Sequence, residues 1–142
     1  MFQTYKSDTG AVLPWEYLAA EKATYQVGQL LNLDATTGQL EAIAADQLEA
    51  PAYMSMSNRE IETAGDILPV TRISEDMIYE TTLAEAVSGL AVGMKLQIES
   101  GGLGVSKPAS GEGCFEVVDF EGAAIGDIVH GRFVAATPAA AG

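Results

Sequence analysis

From Met94 to Glu99 the chain alternates without a fault, with Met94, Leu96 and Ile98 on one side and Lys95, Gln97 and Glu99 on the other. Successive side chains of a strand point to opposite faces, so this stretch predicts a strand with one dry and one wet side. An apolar-Gly-x-apolar step launches it at Val92-Gly93-Met94, and the same step recurs at Val27-Gly28, Ala64-Gly65 and Ile125-Gly126. Four glycine turns, each feeding an apolar run, outline a small all-β domain.

The remaining pattern fills in that outline. Residues 1–23 lack a strand period and read as an arm, in which Pro14 could open a short helical turn over Trp15 to Glu21. Trp15, Tyr17 and Leu18 then either cap one end of the domain or dock onto a neighbour. Residues 24–44 read as a hairpin turning at Asp34 to Gly38. Its return, Gln39 to Ala44, also fits a helical stripe through Leu40, Ile43 and Leu48; a strand at 39–44 and a loop at 45–50 are preferred.

In Ala52 to Ser57, Met54 and Met56 are expected inward, and Tyr53, Ser55 and Ser57 outward. Asn58 to Ala64 reads as a polar connection. Ile67 to Ile73 forms a strand whose Pro69 points to an edge or a bulge. Met77 to Thr82 pairs back after the turn at Ser74 to Asp76, and Leu83 to Ala91 is a loop with an optional helical turn. Gly101 to Gly111 predicts a mobile hairpin or exposed loop. Cys114 to Phe120 and Ile128 to Val134 are strands, with Val129 and Phe133 on one face and His130 and Arg132 on the other. Ala135 to Gly142 reads as a frayed tail. About nine short strands with turn signals every eight to twelve residues predict a closed or nearly closed β-barrel over 24–134 with little helix.

Composition narrows the reading. The chain has 142 residues, enough for one domain with its own core. Its single cysteine, Cys114, cannot form an internal bridge. Twenty acidic against seven basic residues give a net charge of −13. Phosphate binding needs clustered lysine and arginine, so a nucleic-acid partner is not expected. Met1 to Gly10 is too polar for a signal peptide, and no apolar run approaches the ~20 residues of a membrane helix.

No catalytic or metal constellation emerges. His130 is the only histidine and reads as an outward polar residue; Cys114, beside Phe115, reads as a small core hydrophobe. Gly101-Gly102-Leu103-Gly104 lacks the Gly-Lys-Ser/Thr ending of a phosphate loop. Lys95, after Gly93-Met94, sits mid-strand rather than at the hairpin tip of a biotinyl carrier. Asp66 and Asp127 follow turn glycines, where carboxylates accept hydrogen bonds from turn amides.

Taken in order, Thr4-Tyr5-Lys6, Asp8 to Ala20 with its Pro14-Trp15-Glu16-Tyr17-Leu18, Val27 to Leu31, Pro51 to Met56, Ala64 to Val70, and Gly126 to Val129 through Phe133 resemble the head decoration or head-stabilising proteins of tailed phages and prophages. The resemblance implies a β-tulip-like barrel with an extended N-terminal arm, no catalysis and no cofactor. It further implies a homotrimer that binds the major capsid protein on the outer surface of the virion. No residue list transfers from that family, since no position here matches a defined binding motif; the arm's own Tyr5, Trp15, Tyr17 and Leu18 are the residues expected to dock. The alternative is a receptor- or glycan-binding β domain of a head fibre or tail, using Tyr53 and Tyr79.

Overall fold

The computed structural model of the chain describes residues 1–10 and 12–136; the tail residues 137–142 lie outside it. Among the described residues there is no helix. The thirteen strands are β1 (Gln3–Ser7), β2 (Trp15–Ala19), β3 (Ala23–Tyr25), β4 (Leu30–Leu33), β5 (Leu40–Ala42), β6 (Tyr53–Ser55), β7 (Arg59–Ile61), β8 (Ile67–Arg72), β9 (Met77–Thr82), β10 (Lys95–Ile98), β11 (Val105–Ser106), β12 (Phe115–Phe120) and β13 (Ile128–Phe133).

They form three antiparallel sheets, ordered β1-β9-β13-β12-β10-β11, β2-β8-β6-β4-β5 and β3-β7. None of them closes on itself. The six-stranded sheet does curl, because a parallel bridge joins Leu83, just past β9, to Val105 of β11.

Two cores explain the layering. The first takes Tyr79, Leu96, Phe115, Val129 and Phe133 from the six-stranded sheet and Leu30 and Met54 from the five-stranded one. The second takes Leu31, Tyr53, Leu68 and Val70 from the other face of that same five-stranded sheet, with Tyr25 and Ile61 of the small sheet. The middle sheet is thus buried on both faces. This overturns the outward assignment of Tyr53 and Ser55, which are 6% and 0% exposed. In a doubly covered strand, alternation sorts residues between two cores rather than between core and water.

Other expectations are corrected by pairing. Among the described residues, 1–23 contain no helical turn and are not a free arm. β1 lies along β9 and β2 along β8, so the segment supplies one edge strand to each large sheet. Phe2 lies buried in the first core. The polar connection 58–64 contains β7, whose Ile61 closes the second core. β9 does not pair back on β8; the turn at 74–76 carries the chain from one sheet to the other. Pro69 lies on an interior strand, not at an edge. The Pro69 carbonyl accepts from the Met56 N–H at 3.0 Å, but proline has no N–H to return, and β6 ends at Ser55.

The glycine-rich stretch at 101–111 is packed where it was expected to be loose: Gly102, Gly104, Val105 and Ser106 are all buried. Gly102 has φ +74°, and a side chain there would collide with the Leu30 carbonyl oxygen. That approach lets the Leu30 N–H reach the Gly102 carbonyl at 2.8 Å.

Candidate docking surface

The chain's large exposed apolar side chains include a group on the strands that border one side of the molecule. Tyr5 of β1, Val12 of the connection, Trp15 and Tyr17 of β2 and Ile67 of β8 are each 44% exposed or more. The strand register explains the grouping. Trp15 stands opposite Thr71, Tyr17 opposite Pro69 and Ala19 opposite Ile67, so these side chains share one face. Thr71 in turn stands opposite Met54, which marks this as the face of the first core. Along β2 that face emerges from the sandwich and carries apolar side chains into solvent.

Between β1 and β2 lies a groove of about 300 Å³ lined by Tyr5, Val12, Leu13, Trp15, Met56 and Met77, with Thr71 among its walls. Thr71 is 2% exposed, and its hydroxyl has no hydrogen-bond partner among the described residues.

Of the four residues expected to dock, Trp15 and Tyr17 stand together. Leu18 points to the opposite face and packs against the second core. Tyr5 is 55% exposed but lies flat on His130, with ring centroids 3.9 Å apart and planes 13° apart. That contact buries His130 to 8% exposure, although the alternation had placed it in solvent.

The histidine is held from both sides. Its Nε2 meets Glu80 Oε1 at 2.9 Å and its Nδ1 meets Asp119 Oδ2 at 3.3 Å. Glu80 and Asp119 are its cross-strand neighbours on β9 and β12, and a bulge in β12 sets Asp119 opposite the ring. A neutral imidazole can donate from only one nitrogen, so only the imidazolium donates to both carboxylates. The hydrogen bond from His130 holds the Glu80 carboxyl below its ordinary range. Gln3 of β1 also bonds Glu80, so two β1 side chains rest on this network. Arg132, two residues on, pairs with Asp8 just after β1. The long-range partners of His130 follow from strand register and left no local trace in the sequence.

Elsewhere, Glu21, Asp34 and Glu41 bring carboxylate oxygens within 4.8 Å of one another. Asp34 is held below its usual range by the Thr37 and Thr36 amides, and Glu21 is pushed up, mainly by desolvation and by Asp34. Such a cluster offers oxygen ligands to a hard cation. Cys114 is fully buried, and burial pushes its thiol up to about 12, which removes it as a nucleophile. Lys95 pairs with Glu112 at 3.3 Å. Asp127 accepts from the Ala124 amide at 2.9 Å, as a turn aspartate should.

Tyr53 and Tyr79, the aromatics expected to meet a glycan, do not form a groove. Tyr79 is fully buried with its hydroxyl on the Ser74 amide, and Tyr53 lies in the second core under Arg72. Tyr53 lies on the doubly covered middle sheet and Tyr79 on the inner face of the six-stranded sheet, so neither has a route to solvent.

Compared with known proteins, the chain matches no family model and no curated protein.

Proposed function

We propose that this chain is a non-enzymatic capsid decoration protein, a homotrimer that binds the major capsid protein on the outside of a phage head and stabilises it. The observation that carries this reading is the exposed row of Trp15, Tyr17 and Ile67 beside Tyr5 and Val12, on the strands bordering one side of the molecule. Aromatic side chains left in solvent at a sheet edge are costly unless a partner covers them, and tyrosine and tryptophan dominate interface cores.

Three further features support it. Two cores, one on each face of the middle sheet, hold the edge in place. A net charge of −13 repels packaged nucleic acid and suits a surface facing solvent. The Leu83–Val105 bridge curls the six-stranded sheet towards the nearly closed barrel that the family resemblance implies. Trp15, Tyr17 and Tyr5 are the docking residues of this reading, and Leu18 braces β2 from behind.

Individually weak contacts suffice on a lattice, where many copies engage at once. Mixing the purified chain with undecorated capsids and sedimenting them tests the proposal. Stoichiometric co-sedimentation, lost in the Trp15→Ala/Tyr17→Ala double variant, is the expected result. A native chain that stays in the supernatant at saturating concentration refutes it.

A further inference from the structure

The groove between β1 and β2 differs in charge from the rest of the molecule. Its walls hold one basic residue, Lys6, and no acidic one, in a chain with twenty acids. Lys6 forms no salt bridge among the described residues, and the nearby Asp8 is taken by Arg132. Tyr5 and Trp15, each about half exposed, make the rim, while Met77 and Thr71, 6% and 2% exposed, make the floor.

Thr71 is the residue that asks for an occupant. Its hydroxyl, able both to donate and to accept, is buried without a partner among the described residues. Such groups are rare in native folds, and leaving one unsatisfied destabilises the free chain.

The lining decides which group fits. A lysine or arginine would meet Lys6 and find no carboxylate in the walls. A carboxylate at the floor would exchange its water for one hydroxyl, which does not offset its desolvation. An amide brings two donors and an acceptor to a floor that matches one of them. An aliphatic side chain leaves Thr71 unsatisfied. A phenol meets every condition. Its ring suits the thioethers of Met56 and Met77, its negative face suits an unpaired ammonium, and its single hydroxyl matches that of Thr71. The volume of about 300 Å³ stands at the lower limit of small-molecule pockets, ~300–1,000 Å³, and takes one ring rather than an extended ligand.

We propose that this groove is a socket for one tyrosine side chain of the partner protein, held by the methionine thioethers, the Lys6 ammonium and the Thr71 hydroxyl. The inference rests on the reading of this face as a docking surface and names the chemistry of what it takes. Tyrosine is among the residues that dominate interface hot spots, and it would meet Trp15 and Tyr5 at the rim. The Thr71 hydroxyl is closed to water in the free chain, so a ring reaches it only when a lining side chain gives way. Methionine, unbranched with three rotatable bonds, is the side chain that gives most readily.

The test is methyl NMR of the chain labelled with carbon-13 at its methionine methyls, titrated with N-acetyltyrosinamide and, separately, N-acetylphenylalaninamide. Met56 and Met77 report on the groove, and Met94, which lines a separate pocket with Lys95 and Lys107, is the internal control. Expected are saturable shifts at Met56 and Met77 with none at Met94, and a preference for the tyrosine amide of about 2- to 10-fold, the worth of one hydrogen bond. In Thr71→Val, whose folding is checked by circular dichroism, that preference should vanish while the phenylalanine amide binds as before. Absence of saturable shifts at Met56 and Met77 overturns the proposal, as do equal affinities for the two amides or a preference that survives Thr71→Val. Tyrosine-amide binding by a chain that ignores capsids would sink the decoration reading and leave the socket standing; capsid co-sedimentation by a chain whose groove takes neither amide would do the reverse.

Discussion

Phe2→Ala asks whether the first residues of the chain are an appendage or part of the core. Phe2 is 1% exposed, and its ring meets Phe115 edge-on at 5.9 Å and Phe133 at 6.0 Å. Its N–H donates to the Gly28 carbonyl at 2.8 Å, which ties the strand start to the turn before β4. Truncating a buried phenylalanine costs about 3–5 kcal/mol, from lost transfer energy and the cavity left behind. The two aromatic contacts place this site at the upper end of that range. A domain of this size holds about 5–15 kcal/mol in total, so the variant should lose a large fraction of its stability. With a urea m-value of about 1–3 kcal/mol/M, the midpoint should fall by about 1–5 M at unchanged slope. Tyr17→Ala, in solvent only fifteen residues later, should move stability by no more than about 0.5 kcal/mol. Equal midpoints for Phe2→Ala and the native chain would refute the reasoning and return residues 1–7 to the status of a detachable arm.

Two further substitutions probe polar groups. Thr71 and Thr81 each bury a hydroxyl without a partner among the described residues, so Thr71→Val should raise stability by about 1 kcal/mol, read as a higher urea midpoint; a fall would mean the hydroxyl is satisfied in solution. The Glu80 carboxyl is depressed in the folded state by His130, so its contribution is present above the unfolded glutamate range and is lost as pH falls through the lower folded value. Glu80→Gln should therefore be less stable at neutral pH and lose less on acidification, with the two melting curves converging once pH has fallen below the ordinary glutamate range; parallel pH profiles would show that the pair contributes nothing.

Local chemistry told most where a strand has one wet face. Met77 to Thr82 and the 95–98 core of the alternating stretch are strands at the expected places, and the preferred strand at 39–44 appears as β5 beside β4. Burial in β10 follows the alternation, with Leu96 and Ile98 inward. Reading failed where tertiary context decides. In Ile67-Leu68-Pro69-Val70 every residue is apolar, so nothing local told that Leu68 and Val70 face a core while Ile67 faces water. Glycine density at 101–111 suggests looseness, whereas Gly102 is glycine because the Leu30 backbone lies against it. The candidate site was half legible: Trp15 and Tyr17 stood out by residue type and spacing. The partners that hold Tyr5, from strands far along the chain, could only be found once register was known.

The N-terminal segment both packs into the core and exposes aromatic side chains. Phe2 sits in the first core, Gln3 and Tyr5 rest on the Glu80–His130 network, and Trp15 and Tyr17 project from the next strand. A partner gripping β2 therefore pulls on a strand hydrogen-bonded to the middle sheet, and behind it on residues buried in both cores. If β2 docks as proposed, force there would be resisted by the fold as a whole rather than by a tethered arm. That arrangement suits a clamp and would hinder a flexible tether.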